Sequence, residues 1–248
     1  VNPYMADFYK SGAGSRYDRS IPATTYAGAD SFVVGEVPAS EYTDKVIECF
    51  DGYLDAAIVV ISRSGSDYTD LPTERNSAGK YYLELNNDEL DLLRLARRHF
   101  ANVVLLINSS QPLMLGGMET AEYCPDSILW IGNPGRTGTR AIGRVLNGYV
   151  TPSGHLTETW AYDHMSAPSS QTFGASRYIW QSGAPESEFN YYTVLSEGIY
   201  TGYRYYETRY EDRAMSAGNA GDYSYADTVM YPFGYGLSYT EFTYVGFM

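Results

Sequence analysis

The sequence is poor in the residues that most metal and redox chemistry uses. Its 248 residues include two cysteines and three histidines. Cys49, Cys124, His99, His155 and His164 are scattered rather than set at metal-ligand spacing, so no zinc site or other metal centre is expected, and no cofactor. Two buried thiols is the plain reading of the cysteines, with a disulfide left open. No apolar run reaches the roughly 18 residues that would cross a membrane, and no signal-type start is present. The chain does not open with Met and reads as a fragment, so its compartment, cytoplasmic or secreted, is left open. Positive charge is scarce as well. Seventeen Lys and Arg against 30 Asp and Glu give a formal net charge of −13. That argues against nucleic acid or an anionic membrane surface as a partner. It suits a neutral or cationic ligand, although an acidic surface also serves solubility. Gly-Lys-Ser/Thr and G-x-G-x-x-G are missing, so the Gly132-Asn133-Pro134-Gly135 turn is a better tight turn than phosphate cradle. There is no internal repeat.

What is present reads as a globular α/β chain. Hydrophobic residues make up 44% and charged residues 19%, enough for one large domain or two small ones. Residues 1–35 have weak periodicity and are expected to be a lead-in or linker, with a short docking helix around Pro3–Tyr9. Residues 36–248 are expected to form a single domain. Ser40 is a good cap for a helix over Glu41–Tyr53, and Asn87 for one over Asp88–Phe100. The second of these is acidic at its start and basic at its end, which suits the helix dipole. Ala56–Ile61 is a short apolar run that fits a strand buried on both faces, Val103–Ile107 reads as a second buried strand, and Ser127–Ile131 as a third strand. A helix over Thr137–Leu146 and an edge-like strand over His155–Trp160 follow. Strand and helix therefore alternate over Ser40–Trp160, which predicts an open, mainly parallel sheet between helices. A closed β/α barrel needs more than the four or five or so strong strands found here. The last third is rich in Tyr and Gly and reads as long loops over a filled core.

The stretch Ala56–Pro72 concentrates the chemistry. Its polar half follows a buried parallel strand, the usual place for ligands in α/β proteins. It carries Arg63, Ser66, Asp67, Tyr68 and Asp70. Each has a plain alternative: a solvated loop carboxylate for Asp67, Asx-type turn bonding for Asp70, and an anchor or ordinary surface side chain for Arg63. Trp130, Trp160 and Trp180 are candidate sugar platforms. Trp130 ends a buried strand and belongs in the core, which leaves Trp180 as the best of the three.

Four separated motifs then point one way. Ser62-Arg63 with Asp70-Leu71-Pro72, Ile131-Gly132-Asn133-Pro134-Gly135, Pro152-Ser153-Gly154-His155-Leu156, and the closing Glu197-Gly198-Ile199-Tyr200 through Tyr239-Thr240 appear in order. From about Ser31 to Tyr244 the chain resembles the second domain of family 3 glycoside hydrolases, the β-glucosidase and β-xylosidase group. The resemblance implies a six-stranded, mainly parallel sheet sandwiched between helices. It also implies a loop that lends a general acid/base Glu to a pocket shared with a separate catalytic barrel. That barrel holds the nucleophilic Asp, and nothing in this chain resembles it. The substrate implied is a β-linked oligosaccharide or glycoside. The barrel of the same enzyme is the implied partner, and self-association is left open.

The chain departs from that pattern at the loop. Where relatives usually carry Gly-Glu-Gly, it has Ser66-Asp67-Tyr68. The carboxylate is one methylene shorter, and a residue beside it that tolerated φ > 0 or close approach is now a tyrosine. The expected site is thus Asp67 as acid/base, with Arg63, Ser66, Tyr68, Asp70 and Trp180 as substrate contacts. The competing reading is a pocket or interaction module that has lost its chemistry. Glu197, Arg204 and Glu207 are expected to form a structural ion-pair and turn cluster.

Overall fold

A computed structural model of the chain describes residues 1–23, 27–65, 69–173, 176–178, 190–192, 194–241, 243 and 245–246. Among the described residues the centre is a parallel sheet of β1 (Ala57–Ser62), β2 (Val103–Asn108) and β3 (Ser127–Trp130), in the order β1-β2-β3. Val59 pairs with Leu105, and Leu105 with Ile128, so one face is aliphatic across all three strands. The α/β class with a parallel sheet is as the sequence predicts. Among the described residues three strands of the implied six-stranded sheet are seen, together with two short antiparallel pairs: β4 (Trp160–Ala161) with β7 (Val229–Tyr231), and β5 (Ser176–Tyr178) with β6 (Asn190–Tyr192).

The two sheet faces are covered unequally. Before the sheet lie α1 (Pro3–Lys10) and α2 (Asp44–Glu48), and α3 (Asn87–His99) is the crossover from β1 to β2. On α3, Leu92, Leu93, Leu95 and Ala96 are buried against Val59, Ile61, Leu105 and Ile107. Its start is fixed by a capping box, in which Asn86 Oδ1 accepts from the Glu89 N–H while Glu89 accepts from the Asn86 N–H. α4 (Gly135–Leu146), which follows β3, has no buried residue and does not close the other face. In consequence Ile58 and Val60 are 51% and 47% exposed. The expectation of a first strand buried on both faces is therefore corrected: its apolar run is covered by one helix only. The lead-in is not loose, since Phe8 of α1 joins the main core beside Val37 and Tyr42.

Several boundaries move for local reasons. Backbone at Tyr42 and Thr43 is non-helical, so the helix expected over Glu41–Tyr53 divides into a 3₁₀ turn, Ala39–Glu41, and α2. His155–Thr159 is not a strand; only Trp160–Ala161 pairs. The remaining helices are α5 (Pro168–Thr172), α6 (Tyr203–Ala214) and α7 (Tyr225–Thr228). Arg204 and Glu207 lie on α6, where Glu207 accepts from the Tyr225 hydroxyl at 2.7 Å and Arg204 sits over the Tyr203 ring at 6.0 Å. The expected ion-pair cluster is replaced by these separate contacts. Both cysteines are free and half-buried.

The closing motif is held to the Pro-Ser-Gly motif. The Leu156 N–H donates to the Tyr235 carbonyl at 2.8 Å, and the Gly234 N–H to the Leu156 carbonyl at 2.7 Å. A side chain at Gly236 would place its Cβ 2.6 Å from the Gly154 carbonyl oxygen, so the close approach requires glycine there. This pairing explains physically why two motifs so far apart in sequence occur together.

Candidate functional site

The site lies at the carboxyl ends of β1 and β2. Where β1 ends, Arg63 turns inward and is buried to 2%. Its Nε donates to the Tyr82 carbonyl at 2.5 Å. Nη1 donates to Ser62 O at 2.8 Å and Glu89 Oε1 at 2.6 Å. Nη2 donates to Glu84 O at 2.7 Å and Glu89 Oε2 at 2.8 Å. All the guanidinium N–H groups are thus committed to protein acceptors. Of the roles open to Arg63 from sequence, the anchor matches this geometry. The surface reading is corrected by the burial, and a substrate contact would need a donor that is already bonded.

Tyr82 completes the anchor. Its hydroxyl accepts from the Ser64 N–H at 3.1 Å and donates to the Ser64 carbonyl at 3.0 Å. On the far side of the loop, buried Thr69 donates through Oγ1 to the Pro22 carbonyl at 2.9 Å. Asp70 follows, exposed. Ser66, Asp67, Tyr68 and Trp180 lie outside the described residues.

A second exit loop follows β2. The Ser109 hydroxyl bonds both the Gln111 N–H at 3.0 Å and the Gln111 carbonyl at 2.8 Å, tightening the turn. Trp130 Nε1 donates to the Ser109 carbonyl at 2.6 Å, and its ring packs edge-on against Trp160. Trp130 and Trp160 are therefore core and loop supports rather than open sugar platforms.

Between these loops and the segment after residue 157 is a cavity of about 600 Å³. Gly65, Thr69, Asp70 and Leu71 form one side, Gln111 and Leu113 a second, and Glu158, His164 and Phe173 a third. Among the described residues no Lys or Arg lines it. His164 points Nδ1 at Met114 Sδ, 2.9 Å away, and meets Tyr81 edge-on; burial lowers its pKa, which keeps it neutral near pH 7. Glu158 is exposed at the cavity's edge, and partial desolvation there pushes its carboxyl up instead. Glu36, close to Glu89 and Asp88, is raised by burial to about 7. Among the described residues no His/Cys/Asp/Glu group could hold a metal, and no helix is long and apolar enough to cross a membrane.

Sequence reasoning brought Asp70 to this cavity but missed Gln111, Glu158 and His164. Gln111 follows a strand end, the signal that selected the 62–72 loop. Glu158 was hidden by reading 155–160 as a strand.

Residues 50–239 match the model of the glycosyl hydrolase family 3 C-terminal domain. The chain belongs to that family. It is 32% identical over 188 residues to a β-glucosidase of Ruminococcus albus, covering 76% of this chain and 16% of the relative. It is 28% identical to β-glucosidase A of Butyrivibrio fibrisolvens, covering 97% of this chain and 29% of the relative. The chain therefore spans less than a third of the curated relatives it matches. A solved β-glucosidase from Paenibacillus barengoltzii shares the fold, with a TM-score of 0.65 and 24% identity over 97% of this chain and 22% of its own.

Proposed function

We propose that this chain is the acid/base-contributing domain of a retaining β-glycosidase acting on β-glucosides, and that it is inactive alone. The observation that carries this reading is the cavity at the strand ends, bordered by Gly65 and by Thr69–Leu71. Those residues flank the segment containing Asp67, the position of the family's acid/base Glu. Asp67 holds the proton for the departing glycosidic oxygen; Ser66, Tyr68, Asp70 and Trp180 contact the sugar. Arg63 holds the loop. Retaining hydrolysis needs two carboxyl groups about 5–5.5 Å apart, and the nucleophile belongs to a separate barrel. Residues 36–248 act as one domain against that barrel.

The second reading is a non-catalytic pocket or interaction domain. It is favoured by the loop itself, where Asp67 is shorter than Glu and Tyr68 replaces glycine. A misplacement of about 1 Å can cost on the order of 10²-fold in rate.

The test is leaving-group dependence in the full-length protein. A free Asp with a pKa near ~3.9 would be ionised at neutral pH, so the bound site must raise it. Asp67→Ala should slow cellobiose by about 10²–10⁴-fold and a dinitrophenyl glucoside far less, because protonation matters most for a poor leaving group. Asp67→Glu should preserve or raise activity, and the 248-residue chain alone should turn over neither substrate. Equal loss on both substrates, or none, would leave the second reading.

A further inference from the structure

The cavity wall opposite the β1 exit loop has its own chemistry. Glu158 lies on it, in a coil segment held by the Leu156 backbone on one side and buried Trp160 on the other. Among the described residues no Lys or Arg lines the cavity, and His164 is directed at Met114 and Tyr81. An anionic ligand would therefore meet repulsion without compensation. Beside Glu158, Thr159 Oγ1 is covered from water with no hydrogen-bond partner, and so is Gln111 Oε1 across the cavity. A buried polar atom without a partner is costly enough to need an explanation, and a ligand that completes it is one. Leu71, Leu113 and Phe173 supply apolar surface between these polar groups. Polar acceptors around an apolar floor suit a molecule with hydroxyl donors at its edge and C–H groups on its face.

We propose that Glu158 is a specificity-determining residue that accepts hydrogen bonds from the hydroxyls of an uncharged, sugar-type leaving group, selecting it over aryl or alkyl groups. This rests on the reading above that the cavity receives a glycoside. Glu158 is exposed at the cavity's edge, its carboxyl pKa is raised by partial desolvation, and either protonation state can bond a hydroxyl. An aryl leaving group offers no donor at that position and loses little when Glu158 changes.

Two measurements decide it. In the full-length protein, KM and kcat are taken for cellobiose and for p-nitrophenyl β-glucoside. Glu158→Ala should raise KM for cellobiose about tenfold to a hundredfold, the loss expected for a hydrogen bond to a charged group, with a much smaller rise for the aryl substrate. Glu158→Gln, which keeps an acceptor, should recover part of the loss. Equal changes on both substrates, or none, would overturn the assignment while leaving the acid/base reading intact. Should the full-length protein hydrolyse neither substrate, the acid/base reading fails and the second measurement stands alone. Cellobiose is then titrated into the 248-residue chain and followed by the NMR signal of the Trp160 indole. Binding weakened at least about tenfold by Glu158→Ala supports the proposal. Binding that is unchanged, or absent in the unsubstituted chain, sinks it.

Discussion

Helix α3 ends twice in the same geometry with opposite surroundings. At its start, Arg63 grips Glu89 with two bonds of 2.6 and 2.8 Å, both side chains essentially fully buried. At its end, Arg97 grips Asp126 with bonds of 2.6 and 3.0 Å, both side chains partly exposed. Geometry alone would rank the pairs as equals. Burial separates them, because the inner pair has left water and depends on every remaining bond being made. Those bonds go to the carbonyls of Ser62, Tyr82 and Glu84, so the inner pair fixes the loop's backbone. The outer pair instead joins the helix to the starts of β2 and β3, through the Val103 N–H on Asp126. In a parallel sheet the strand exits face the ligand and the strand entries do not. The desolvated pair therefore sits at the end of the sheet that carries the cavity, and the wet one at the opposite end.

The sharpest way to break this contrast is to remove one member of the inner pair. Arg63→Ala strands the Glu89 carboxylate, which is 1% exposed, and should cost about 3–5 kcal/mol in urea unfolding of the chain. A double change to Arg63→Met with Glu89→Leu should recover much of that, since it removes both charges. A loss under about 1 kcal/mol for Arg63→Ala would mean that the inner pair behaves like a surface one.

The contrast also marks what could be read from the sequence. α3 is legible in its apolar stripe and terminal charges, which act locally, but its cap is Asn86 and not the expected Asn87, because the Asn86 side chain is the one that reaches the Glu89 N–H. β1 to β3 were legible as short β-branched runs. The burial of Arg63 was not, since apart from the neighbouring Ser62 carbonyl its acceptors lie 19 to 26 residues away across the loop and helix start. The openness of Ile58 and Val60 was also hidden, because an apolar run does not record whether a second helix closes over it. At the site, Asp70 could be placed from its loop, whereas Glu158 comes to the cavity through the pairing of two distant motifs.

Glu36 sharpens the comparison from the inner side. Its carboxyl accepts from the Val37 N–H at 2.7 Å, and it lies near Glu89 and Asp88. Burial and those charges lift it to about 7, against an unfolded value near ~4.3. Between those two values the folded chain holds a proton that the unfolded chain has released. Its contribution to stability therefore falls as pH rises through that window. Glu36→Gln should remove the penalty, stabilising the chain at pH 8 by about 1–3 kcal/mol and changing little at pH 5. The check is the urea midpoint at both pH values. A variant with the same pH slope as the unsubstituted chain would place the ionisation elsewhere.

Asp126, at the outer pair, gives the smallest effect and the opposite sign. It accepts from Arg97 twice and from the Val103 N–H, and these bonds hold its carboxyl down to about 2. Its unfolded pKa is near ~3.9, so the folded chain binds fewer protons in the interval between. The stabilisation is thus fully present above the unfolded value and is lost as pH falls through the folded one. A carboxyl-detected NMR titration should find a midpoint near 2 for Asp126, shifted upward in Arg97→Ala. The same substitution should leave cellobiose kinetics in the full-length protein unchanged, because this clasp lies at the strand entries. A midpoint near ~4 in the unsubstituted chain would show that water and salt already screen the pair in solution. A change in kinetics on breaking it would instead tie the strand entries to the site, and the division between the two ends of α3 would not hold.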